Sequence, residues 1–173
     1  MAYVMEVYLG DMARLEAVIG AKDDALLSQV LDAGGGGIAP EIFRAIVDGG
    51  PFTEDDADDY TAAMEFFCVH LGGENIDSVE FSFGDDPDIT DLFYDWAFED
   101  WLPVPESSGC GIWSKERASE HLDEWLAEGG AAPIDPDSGD LDWDEVDQET
   151  GWANRARAAG KDLFFFWGGL DCD

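Results

Sequence analysis

Residues 162–168 read DLFFFWG: five large apolar side chains, Leu163 to Trp167, between an acid and a glycine. The run has the length of a strand, and a strand apolar at successive positions is one buried in a fold rather than lying on its surface. Such a strand needs a partner. The other end of the chain offers one, because Tyr3 to Leu9 is rich in β-branched and aromatic residues and sets Tyr3, Met5, Val7 and Leu9 on one apolar face. Pairing the first strand with the last would close residues 1–173 into a single α+β domain, mostly helical around a small sheet.

The chain between these strands is punctuated as helices. Asp11 is placed to cap a helix through about Ile19, and Asp23 or Asp24 starts another running to Ala33, where Gly34 to Gly37 stop it. Pro40 opens a short helix, EIFRAIVD, that Gly49 and Gly50 close. From Thr53 as N-cap, the residues Tyr60, Ala63, Met64, Phe67, Cys68 and Leu71 fall at i, i+3, i+4, i+7, i+8 and i+11, an apolar stripe ended by Gly72 and Gly73. Val79 to Phe83 has strand character, and residues 88–101, DITDLFYDWAFEDW, read as an aromatic-rich helix that Pro103 and Pro105 break. Ser114 can cap a helix with Ala118, Leu122, Trp125 and Leu126 on its inner face and Gly129 at its end. A last helix spans about Trp143 to Ala159.

Charge narrows the function. Forty-one Asp and Glu against eight Lys and Arg leave a net charge of −33. A field of that sign repels DNA, RNA and anionic membranes and attracts cations and basic proteins, so a basic protein is the expected partner, with no direct nucleic-acid or membrane contact. The oligomeric state is not legible. Eleven Phe, seven Trp and four Tyr exclude the disordered reading that high charge otherwise invites. The N-terminus lacks a basic n-region, and Leu163 to Trp167 is too short to cross a bilayer. Cys68, Cys110 and Cys172, odd in number and widely spaced, fit neither a disulfide framework nor a zinc site, which points to a reduced, cytoplasmic setting. Cys68 reads as a small core residue, whereas Cys110, beside glycines, and Cys172, at the C-terminus, read as open to exposure.

Much of the acid sits at helix starts. Asp23–Asp24, Glu54 to Asp59, Asp85 to Asp91 and Asp140 to Glu145 all lie at or before one, where a carboxylate meets unpaired N–H groups and is worth ~0.3–1 kcal/mol. Asp55, Asp58 and Asp59 exceed that need, since at i, i+3 and i+4 they repel by a few tenths of a kcal/mol per pair. Three uses compete for the surplus. Recognition of a basic surface is favoured: Asp55, Asp56, Asp58, Asp59, Asp140, Asp142 and Asp144 are the candidate contacts, Trp143 is the candidate anchor, and Trp96, Trp101 and Trp152 are interleaved with further acids. Inhibitors and immunity proteins that imitate a phosphate lattice use this physics.

Calcium is the second use. Residues 134–147, IDPDSGDLDWDEVD, are half carboxylate, and Asp135, Asp137, Asp140 and Asp142, with Asp144 beyond, alternate as oxygen ligands do. An EF-hand started at Asp135 has Asp140 where the glycine belongs and Val146 where the bidentate Glu belongs, which leaves nonspecific calcium association and no dedicated cofactor. Salt adaptation is the third, and 26 Asp to 15 Glu with few Lys agrees with it.

Catalytic patterns are weaker. His70 and His121 each fall on a helix near an apolar stripe with no histidine at ligand spacing, and read as structural or surface residues. Gly34 to Gly37 lack the Lys and Ser or Thr of a phosphate-binding loop, and no nucleophile elbow is present. A carboxylate-dependent hydrolase ranks last, and calls for a pocket holding two close acids in opposed environments. The opening YVMEVYLGDMARLEAVIGAKDDALLSQVL, with FRAIVDGGP and EFFCVHLGG after it, resembles a family of small actinobacterial proteins of unknown function over roughly the first 75 residues. That resemblance implies a cytoplasmic α+β protein and carries no active site. The expectation is therefore a non-enzymatic binding module.

Overall fold

The computed structural model describes residues 2–82, 109–130 and 148–169. Its strands β1 (Ala2–Gly10), β2 (Glu74–Ser82), β3 (Cys110–Trp113) and β4 (Asp162–Gly169) form one antiparallel sheet in the order β2-β1-β4-β3. The first and last strands are its central pair, in register from Tyr3 opposite Gly169 to Gly10 opposite Asp162. The apolar run explains why. Leu163, Phe164, Phe165 and Phe166 are each 2% exposed or less, so β4 is covered on both faces, and each such side chain contributes about 1.5–3 kcal/mol by leaving water.

Among the described residues six helices supply the covers: α1 (Met12–Glu16), α2 (Asp24–Asp32), α3 (Pro40–Asp48), α4 (Ala57–His70), α5 (Lys115–Ala127) and α6 (Gln148–Ala159). The first four pack on Tyr8, Cys110, Ile112, Phe164 and Phe166. The last two pack on Met5, Val7, Leu9, Trp113, Leu163 and Phe165. The result is an α+β fold of three layers, with more helix than strand. Among the described residues no helix is long and apolar enough to cross a membrane.

Asp162 ties the layers together. Its Oδ2 accepts from the Met12 N–H and its Oδ1 from the Lys115 N–H, both at 2.8 Å. Those groups open α1 and α5, which lie on opposite faces of the sheet, so one carboxylate satisfies an orphan donor at the positive end of a helix in each cover. The local caps are Asp11 for α1, Asp23 for α2 and Ser114 for α5, each accepting from the N–H three residues on.

Several sequence readings need correction. The first helix ends at Glu16 rather than near Ile19. Thr53 does not cap α4: a 3-10 turn, Glu54–Asp56, intervenes, and the Thr53 hydroxyl donates to the Asp56 carboxylate at 2.6 Å. The apolar stripe of α4 is otherwise as read, with Tyr60, Ala63, Met64, Phe67 and Cys68 buried. On α5, Ala118 and Leu122 face inward but Leu126 is 41% exposed. The second strand begins at Glu74, well before Val79, and β3 has no counterpart in the sequence reading. Cys110 is buried, and burial pushes its thiol up to about 12. Trp152 is a core side chain at 3% exposure, donating its indole N–H to Asp77 at 2.9 Å, and not a surface anchor. Cys172, Trp96, Trp101 and the aromatic-rich segment 88–101 lie outside the described residues, and α6 is described from Gln148 onward.

Candidate functional site

On the α1–α4 side of the sheet, β1, β4 and α4 enclose an open cleft of about 350 Å³. Its lining comes from β1 (Val4, Glu6), α4 (Asp58, Thr61, Ala62, Glu65) and the Phe166–Gly168 segment of β4. The cleft exists because of what β4 omits. Gly168 lies opposite Val4, and a Cβ placed on it would meet no atom of the described residues within 4 Å, whereas the preceding positions on that face, Phe164 and Phe166, carry rings that fill the core.

A bulge arranges the polar side of this cleft. Between Val7 and Tyr8 the register on β2 skips a residue, so that Val7 faces Asp77 and Tyr8 faces Asn75, with Ile76 left over. The extra residue turns Asn75 to the same face as Glu6 and Tyr8, which strict alternation would have denied it. Asn75 Nδ2 then donates to Glu6 Oε2 and Ser78 Oγ to Glu6 Oε1, both at 2.8 Å. Asp77 stays on the other face, on Trp152.

Glu65 is held differently. The Tyr8 hydroxyl donates to Glu65 Oε1 at 2.6 Å, a length typical of an O–H donor on a carboxylate. Burial pushes the Glu65 carboxyl above the usual carboxylate range, the Tyr8 bond pulls it back, and the charge of Glu6 pushes it up again. Burial also raises the Tyr8 phenol, and Glu65 adds to that rise while Asn75 opposes it. Glu6 and Glu65, two of the acids lining the cleft, thus sit in unlike surroundings. Beneath them Thr61 is buried, donating to Ala57 O at 3.2 Å and accepting from the Gly109 N–H at 3.0 Å.

These shifts set a sign for the pH dependence of stability. The folded chain keeps the Glu65 proton to higher pH than the unfolded chain, whose value is near 4.5. The stability so contributed is full below that value and is lost as pH rises through the folded-state value. Glu65→Gln stays neutral throughout. Its melting temperature relative to wild type is therefore expected to improve steadily as pH is raised from about 4.5, measured by calorimetry in a pH series; a difference that does not change with pH would contradict the assignment.

The sequence-derived site divides. Asp55 and Asp56 lie in the 3-10 turn and Asp58 and Asp59 in the first turn of α4; all but the half-buried Asp56 are exposed. Of the four, Asp58 lines the cleft. Asp135, Asp137, Asp140, Asp142, Trp143 and Asp144 lie outside the described residues. His70 is exposed, 3.3 Å from Gln29 Oε1, and His121 is half-buried, 3.2 Å from Thr150 Oγ1 and packed on Trp113. Glu6, Tyr8, Glu65, Asn75 and Gly168 were not singled out from the sequence as site residues. The one local signal was the glycine after Trp167, where an otherwise continuous apolar run stops.

No curated protein and no solved structure matches the chain. A family model described as Domain of unknown function (DUF7691) matches residues 1–168, well past the N-terminal stretch that carries the resemblance and through β3, α5, α6 and most of β4. The chain belongs to the DUF7691 family.

Proposed function

We propose that this chain is a non-enzymatic acidic binding protein that occupies a basic surface of another protein, in the manner of an inhibitor, an immunity protein or a DNA mimic. The supporting observation is the exposure of its uncompensated charge. Of the 24 Asp and Glu in the described residues, 18 are exposed, and all eight Lys and Arg of the chain fall in these same residues. Even if every base were paired, most of the acids would lack a partner within the chain. Arg44 reaches Asp24 at 3.9 Å and Arg157 reaches Asp123 at 2.7 Å, both at the surface, where such pairs are worth ~0–1 kcal/mol. Asp55, Asp58 and Asp59 add a dense exposed group at the start of α4, with spacings of roughly 5–6 Å between neighbouring helical positions.

Binding suits the cleft better than hydrolysis does. Both oxygens of Glu6 accept hydrogen bonds and Glu65 accepts one from Tyr8, so the two carboxylates are wired as acceptors. The test is capture of the tagged protein's partner from lysate of its source organism, eluted by a salt gradient. One dominant basic protein should leave at moderate salt. With that partner, Asp55→Lys/Asp56→Lys/Asp59→Lys should slow association by about tenfold or more at low salt and flatten its salt dependence. Unchanged association, or a capture that yields only abundant cationic proteins at low salt, would make the charge a solvated coat and end this reading.

A further inference from the structure

The cleft over Gly168 makes the proposal more specific. Three carboxylates from two elements, Glu6, Asp58 and Glu65, share its lining with the apolar Val4, Ala62 and Phe166. No lining residue is basic, and residues 83–108, 131–147 and 170–173 contain no Lys or Arg that could reach in. The chain's side chains that carry a permanent positive charge are all placed elsewhere: Arg14 on Leu71 O, Arg155 on Ile76 O, Arg117 over the Trp113 ring, Arg44 and Arg157 in their ion pairs, and the lysines exposed.

The spread of the acids selects the kind of cation. Among the described residues no three acid, histidine or cysteine side chains lie close enough to hold one metal ion. A cleft with distributed acceptors and an apolar wall suits a cation that is itself extended, with several donors on a planar head and an aliphatic stem. Guanidinium has five N–H donors and is weakly hydrated, so it loses less on entering such a site than an ammonium does. We infer that this cleft is the receptor for a single arginine side chain of the basic partner, its guanidinium among Glu6, Asp58 and Glu65 and its stem along Val4, Ala62 and Phe166. The inference rests on the acidic-binding reading but concerns different residues from Asp55, Asp56 and Asp59, so the two can fail separately.

Ionisation of Glu65 is then coupled to occupancy. A guanidinium beside the carboxylate favours its charged form, opposing the effect of burial, and binding releases a proton wherever the empty cleft still holds one.

The experiment is calorimetric titration of the full chain with N-acetyl-L-arginine amide, at low salt and again at 150 mM added salt. One-to-one binding with a Kd on the order of 1 mM is expected. Gly168→Phe fills the cleft without altering any charge; since its Cβ meets no atom of the described residues and the backbone is not in the left-handed region, the variant should fold, which circular dichroism verifies. It should weaken binding tenfold or more. Glu65→Gln should weaken it similarly and abolish the proton release, read as the dependence of heat on buffer ionisation enthalpy. Glu120→Gln/Glu124→Gln removes two exposed charges from α5, on the opposite layer, and should change affinity less than twofold. Undiminished binding by Gly168→Phe, or an equal loss in the α5 variant, overturns the cleft assignment and leaves the surface reading to its own test.

Discussion

Asp162→Ala is expected to lose about 2–4 kcal/mol of folding stability, among the largest effects of any single substitution in this chain. The carboxylate is 9% exposed and serves two helices, α1 through Met12 N–H and α5 through Lys115 N–H. Alanine leaves both donors without that acceptor in partly buried positions, and each such loss costs about 1–3 kcal/mol. The helices differ in what remains. Each keeps its own cap, Ser114 on α5 and Asp11 on α1, but α5 has thirteen residues whereas α1 has five and little length over which to recover. Amide exchange should therefore show α1 opening at lower free energy than α5 in the variant, and chemical denaturation should show the midpoint falling with little change in slope. A variant with wild-type stability would mean that water replaces the carboxylate at both ends, and the clasp would have no energetic weight. Asp162→Asn separates charge from geometry, since it retains one acceptor oxygen and offers donors where the second acceptor was.

Gly109→Ala is the second, with an expected loss of about 3 kcal/mol or failure to fold. The backbone of Trp167 lies where a Cβ on Gly109 would go. The same residue donates its N–H to the buried Thr61 hydroxyl at 3.0 Å and its carbonyl accepts from Trp167 N–H at 2.7 Å. Main-chain atoms cannot rotate aside as a flexible side chain can, so the methyl group must push β3 away from β4. Thr61→Val provides the graded companion, because it removes the acceptor of the Gly109 N–H at nearly constant volume and should cost less than Gly109→Ala. Thermal denaturation of both variants measures the order, and a Gly109→Ala protein that melts with wild type would show that β3 is free to shift.

The sequence reveals elements whose signal is local. The β4 run, the i, i+3, i+4 stripe of α4 and the Pro40 to Gly49 frame of α3 each declare themselves within a dozen residues, and each is present in the fold. Four-residue β3 is too short for alternation to show, and the glycine beside Cys110 suggested exposure where it instead allows close approach of two backbones. The turn at Glu54–Asp56 was read as part of α4 because one acid after another is compatible with either geometry. The cleft was least legible. Glu6 and Glu65 share the cleft only through the packing of α4 on the sheet, and Asn75 reaches Glu6 only because the ladder gains an extra residue at Ile76. None of these relations is a spacing along the chain.

The pairing of β1 with the distant β4 has a consequence for how this protein comes into being. During synthesis β1 emerges well before β4, with β2, β3 and the helices between them, yet they are neighbours at the centre of the sheet. Until β4 has cleared the ribosome, β1 can ladder only with β2, and Met5, Val7 and Leu9 lack the Leu163 and Phe165 that complete their layer. Closing so long a loop belongs to the slow end of folding topologies. For that interval the nascent chain carries an unfinished apolar face among many like charges, and their mutual repulsion, unfavourable to the finished fold, keeps incomplete copies apart.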